Sequence, residues 1–175
     1  CETAGKWQHA LALFSEMRRL RVAASTVTYT AAIGAWGQAG QWAEALGLLD
    51  VMAGGRVEAN AITYNAAISA CDRAWLVAFQ LLRVMGQCRL ELGTITCTAA
   101  INACGKAGEW QQALHLFAGM DEVAVAMNRL TYSAAISACE RGGVWARALH
   151  LLRQSDTCRV KACTVACSAA ISACA

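Results

Sequence analysis

The chain has 175 residues, 15 basic against 12 acidic, for a formal charge of +3, far below the basic footprint of a duplex-DNA binder. Apolar residues make up 57 % of it, yet the longest uncharged run, residues 22–43, holds three threonines, one serine, two glutamines and three glycines with no leucine, so it does not read as a bilayer span. Ten cysteines occur without a single C-x-x-C pair, which argues against a zinc or disulfide framework and for buried free thiols kept in a reducing compartment.

In chain order, residues 1–25 contain "KWQHALALFSEM", rich in helix formers. The stretch "TVTYTAAIGAW" then opens at Thr26 and recurs from Ala61, Thr94, Arg129 and Thr164, at spacings of 35, 33, 35 and 35 residues. Each copy predicts a first helix, near residues 28–39 in the first, and a Gly at 40, 108 or 143 marks the turn after it. A second helix follows near residues 42–53, where Trp42, Ala45, Leu46, Leu49 and Met52 form an apolar face at helical spacing. Gly54 and Gly55 end that helix. The 33-residue copy lacks two residues at its turn.

Five tryptophans (Trp7, Trp42, Trp75, Trp110 and Trp145) open successive second helices, and Met17, Met52, Met85 and Met120 lie ten residues after theirs, with Ser155 in the last such place. Cys71, Cys104, Cys139 and Cys174 share the eleventh place with Trp36, which marks a packing slot rather than a ligand slot. The expected organisation is one array: a partial unit over 1–25, complete units over 26–60, 61–93, 94–128 and 129–163, and a partial unit over 164–175. A two-helix unit cannot bury its apolar face alone, so the fold class is an all-α solenoid of stacked helix-turn-helix repeats. The chain reads as an internal piece of a longer protein.

"VTYTAAIGAWGQAGQWAEALGLLDVM" (Val27–Met52) and "ITCTAAINACGKAGEWQQALHLFAGM" (Ile95–Met120) resemble the pentatricopeptide repeat family in unit length, opening, turn and second helix. The W-x₂-L-G-x₂-Y opening of tetratricopeptide repeats is absent. The resemblance implies a right-handed superhelix that binds single-stranded RNA, one base per repeat. Base reading then falls to the fifth and last residues of each unit: Thr30 with Asn60, Asn65 with Gly93, Thr98 with Asn128, Ser133 with Cys163, and Ser168 as a half-pair. Under the family's rule, Thr with Asn favours adenine. Val27, Ile62, Ile95, Leu130 and Val165, second in their units, would sandwich bases, and Arg73, Lys106 and Arg141, thirteenth, would hold phosphates.

The resemblance further implies an organellar setting, chloroplast or mitochondrion, and a role in RNA stability, processing or translation, with no membrane insertion and no duplex DNA. No catalytic residue, metal site or cofactor is expected, and "ACGKAG" (Ala103–Gly108) is no phosphate loop. His115 and His150 share one repeat position and read as surface or interhelical residues. Two departures from the family, the absence of proline and the non-standard Gly93 and Cys163, keep a second function open: a non-catalytic scaffold for other protein subunits.

Overall fold

A computed structural model of the protein describes residues 6–20, 22–55, 57–72, 74–122, 125–157 and 164–173. Ten helices carry these residues: α1 (Lys6–Arg19), α2 (Thr26–Gln38), α3 (Trp42–Gly54), α4 (Ala61–Ala70), α5 (Trp75–Gln87), α6 (Thr94–Ala107), α7 (Trp110–Glu122), α8 (Arg129–Arg141), α9 (Trp145–Thr157) and α10 (Thr164–Ser172). No strand occurs among the described residues. The chain divides into two compact units, Cys1–Asp72 with Gln80–Glu91, and Arg73–Phe79 with Leu92–Ala175.

In the first unit α2 packs against α1, α3 and α4. In the second, α8 packs against α6, α7, α9 and α10. Within each unit, first helices of consecutive repeats therefore lie side by side, with a second helix packed against them. The seam is made of small residues. A methyl built on Gly37 would stand 2.8 Å from Ala70 Cβ, and one built on Gly105 would stand 3.1 Å from Ala138 Cβ. Beside each seam the isoleucine after the alanine pair is sealed: Ile33, Ile68, Ile101 and Ile136 have no exposed surface. Each such burial contributes about 1.5–3 kcal/mol.

Helix boundaries follow local chemistry. α2 begins at Thr26 rather than Thr28 because the Ser25 side chain accepts from the Thr28 N–H and caps it. Gly40, Gly108 and Gly143 adopt φ of 72°, 86° and 65° at the turns between paired helices, a region that costs a side chain about 1–2 kcal/mol. The short repeat solves its turn without glycine: α4 stops at Ala70 and Asp72 takes φ 38°.

The second helices correct one sequence expectation. In α3 the buried residues are Ala45, Leu48 and Met52, while Trp42 is 39 % exposed. Trp145 is 55 % exposed in the same place. The tryptophans open their helices at the edge of the core, where a large ring covers its neighbours without being enclosed. Met52, Met85 and Met120 are fully buried as their recurrence implies, and Ser155, in the same slot, is buried with its hydroxyl donating to Leu152 O at 2.7 Å.

Candidate nucleic-acid interface

Asn60 and Asn128 end one repeat and start the next helix. Asn60 Oδ1 accepts from both the Thr63 N–H (3.0 Å) and the Thr63 hydroxyl (3.0 Å), which caps α4. Asn128 Oδ1 accepts from the N–H groups of Leu130 (2.9 Å) and Thr131 (3.0 Å) and from the Thr131 hydroxyl (3.2 Å). A capping box closes when the Asn128 N–H donates to Thr131 Oγ1. A backbone N–H can only donate, so the amide orientation is settled: oxygen on the cap, NH₂ left over.

The capping threonines reach backwards too. Thr63 Oγ1 lies 2.8 Å from Thr30 Oγ1, and Thr131 Oγ1 lies 2.9 Å from Thr98 Oγ1. Thr30 and Asn60 are thereby joined through Thr63 within the first unit, and Thr98 and Asn128 through Thr131 within the second. Thr63 and Thr131 are completely buried, where an unmade hydrogen bond would cost about 1–3 kcal/mol. The Thr30 hydroxyl has one proton and two internal acceptors, Thr63 Oγ1 and Thr26 O at 2.8 Å. Its proton is used inside the protein, and a lone pair remains to accept. Each junction thus pairs an acceptor with an amide donor.

The apolar residues expected beside these pairs are displayed to solvent. Val27 is 78 % exposed, Ile62 67 %, Ile95 70 % and Leu130 57 %. In each unit two large aliphatic side chains are left exposed at the same place in consecutive repeats, an anomaly for a folded core. Lys106 and Arg141 are exposed in the last turns of α6 and α8, where the helix dipole also favours cations.

The remaining expected residues fall differently. Gly93 is the N-cap of α6 and supplies no side-chain bond to it. Asn65 and Ser133 are half-buried on α4 and α8, and Ser168 is exposed on α10. Arg73, Cys163 and the Val165 side chain lie outside the described residues. Sequence reading missed Thr63 and Thr131. The signal was present, since the third residue of four copies is Thr, but a buried position inside an invariant phrase reads as scaffold.

Elsewhere, His115 and His150 are exposed and border a groove of about 430 Å³ between α7 and α9, floored by Leu114, Phe117 and Leu151. No group of three metal-ligating side chains forms among the described residues, and none of their helices is long and apolar enough to cross a membrane. Cys71, Cys104 and Cys139 are buried free thiols, and burial pushes each thiol up to about 11. Against the expectation of buried thiols throughout, Cys88 and Cys167 are exposed; Cys167 sits on α10 where Tyr132 is buried on α8.

Models of the PPR repeat family match residues 24–73 and 92–141, and a PPR repeat model matches residues 1–22. The chain belongs to the pentatricopeptide repeat family. Its structure is similar to that of the pentatricopeptide repeat protein PPR10 from maize (TM-score 0.80, 26 % identity), covering 97 % of this chain and 25 % of that one. A crystal structure of PPR10 in complex with an 18-nt psaJ RNA element gives TM-score 0.80 at 22 % identity, covering 93 % of this chain and 24 % of that one. The PPR domain of Arabidopsis thaliana protein-only RNase P 1, in complex with tRNA, gives TM-score 0.76 at 16 % identity, covering 96 % and 90 %. The chain spans about a quarter of the length of PPR10. A search of curated proteins returned no match. As a pentatricopeptide repeat protein the chain is an all-α helical-repeat solenoid.

Proposed function

We propose that this pentatricopeptide repeat chain binds single-stranded RNA through its first helices, and that it serves organellar RNA stability, processing or translation. One observation carries the reading: Thr30 with Asn60, and Thr98 with Asn128, are brought together by hydrogen bonds, and an exposed aliphatic residue, Val27 or Ile95, stands three places before the threonine on the same helix. A single-stranded base presents a polar edge and an apolar face, and such a junction offers partners for both. An acceptor hydroxyl beside a donor amide suits adenine, whose amino group donates and whose ring nitrogen accepts. Lys106 and Arg141, exposed in the last turns of α6 and α8, would serve as phosphate partners, with Arg73 as a third by sequence position.

The RNA complexes of PPR10 and of the RNase P domain lend analogy to this reading. Family membership supports a chloroplast or mitochondrial setting. The groove between α7 and α9 supports a second reading, a protein-binding scaffold, because its floor is apolar and open.

Filter binding tests the choice. The chain is titrated against an adenine-rich single strand, a duplex of equal length and rising salt. Single-strand binding that weakens with salt and with Thr30→Ala or Thr98→Ala is the expected result. No retention of any single strand at low salt overturns it.

A further inference from the structure

In the second compact unit, α7 and α9 both pack on α8, and the groove between them has opposite charges at its two ends. Its floor is Leu114, Phe117 and Leu151. Tyr132 holds Phe117 edge-on, with ring centroids 5.1 Å apart, so the floor is formed before any partner arrives.

Trp110 and Trp145, like His115 and His150, hold matching places in the two helices. The walls can therefore be compared level by level. Arg147 is the third residue of α9 and Asp121 the twelfth of α7, which sets them about 14 Å apart along the helix axes. Both line the groove and both are exposed. Among the described residues neither makes an ion pair or a hydrogen bond. The groove thus offers a free cation near one end, a free carboxylate near the other, and apolar surface between.

An RNA strand matches this poorly. Its phosphates call for a run of cations, and here one arginine is offset by one aspartate. A helix matches it well. Carboxylates are favoured in a helix's first turn and cations in its last. A helix laid parallel to α7 and α9 brings its acidic end to Arg147 and its basic end to Asp121. Positions i, i+4, i+7 and i+11 share one helix face and span about 16 Å, close to the separation of the two charges.

We propose that this groove docks an amphipathic helix of a partner protein, with a carboxylate at i, large apolar residues at i+4 and i+7, and a cation at i+11. The proposal rests on the protein-scaffold reading above. The apolar pair supplies the attraction, by covering Leu114, Phe117 and Leu151, as in other helix-in-groove complexes. The two charges set the direction in which the helix lies, because the reversed helix brings like charges together.

The test is fluorescence anisotropy of a labelled alanine-rich peptide of about 20 residues, long enough to be helical, carrying Glu, Leu, Leu and Lys at those four places. A second peptide has Glu and Lys exchanged. The whole chain should bind the first about tenfold or more tighter than the second. The double variant Arg147→Glu, Asp121→Lys should reverse that preference, which a merely structural role would not do. Ala118→Trp and Gln111→Trp, at exposed positions lining the groove, should block both peptides, and circular dichroism checks that each variant is folded. An adenine-rich single strand should not displace the peptide.

If neither peptide binds, the scaffold reading of this groove fails. Equal binding of the two, or a preference that the double variant leaves unchanged, overturns only the charge-directed helix. Binding that survives both tryptophan variants places the peptide elsewhere, and displacement by the RNA strand gives the groove to RNA; either result overturns the proposal.

Discussion

Thr30 and Thr63 are 33 residues apart in the chain, and their hydroxyl oxygens are 2.8 Å apart in space. Each belongs to a different repeat, so the bond ties the first helix of one repeat to the cap of the next. Thr98 and Thr131 repeat the tie at 2.9 Å over the same separation.

The caps set the first stability prediction. Asn128→Ala removes the acceptor for three donors at the start of α8 and should cost about 1–2 kcal/mol in chemical denaturation. Gly93→Asn places a capping side chain at the start of α6, where none acts now, and should raise stability by a few tenths of a kcal/mol. A neutral Asn128→Ala would mean that the cap is redundant with solvent.

The glycine seam separates packing from propensity. Gly37→Ala brings a methyl to 2.8 Å from Ala70 Cβ and 3.0 Å from its Cα. The obstacle is backbone, which cannot swing aside, so overpacking of about 1–3 kcal/mol should outweigh the helix-propensity gain of about 1 kcal/mol. Gly47→Ala, on α3 with nothing within 4 Å, should stabilise by about 0.5–1 kcal/mol. Thermal midpoints moving in opposite directions are the expected readout.

The buried thiols give a pH window. Cys71, Cys104 and Cys139 ionise at about 11 in the folded protein, mainly because burial penalises the thiolate, against an ordinary value of 9.0. The unfolded chain therefore loses these protons first as pH rises. Their contribution to stability is fully present below pH 9 and should be lost between about 9 and 11. Alkylation at pH 8 should label Cys88 readily and these three only on unfolding.

The cations set the salt dependence. If Lys106 and Arg141 each neutralise one phosphate, the double variant Lys106→Gln, Arg141→Gln should flatten the slope of log affinity against log salt by about 1.4 for a single strand. An unchanged slope places both outside the contact.

Much of the fold was legible because a repeated phrase exposes its own constraints. Ile33, Ile68, Ile101 and Ile136, Met52, Met85 and Met120, and Cys71, Cys104 and Cys139 hold recurring slots and are sealed, whereas Ile171 in the last copy is 73 % exposed; the turn glycines recur and take positive φ. What the sequence hid has physical causes. Recurrence alone does not separate a residue enclosed by its neighbours from one that lies over them, so Trp42 and Trp145 read as core. The buried Thr63 and Thr131 carry a polar task in a scaffold position, and no periodicity announces it.

Asn60 and Asn128 hold one further consequence. Each must start a helix with its oxygen while offering its nitrogen outward, so one side chain answers to two selective demands at once. Asn, Asp, Ser and Thr, and Gly without a side-chain bond as at Gly93, initiate helices well. The vocabulary open to that position is therefore limited by helix initiation before any ligand has a say. A substitution chosen for recognition alone, Lys or Gln for example, would loosen the start of the following repeat. Redesign of such an array is cheapest among the residues that can also begin a helix.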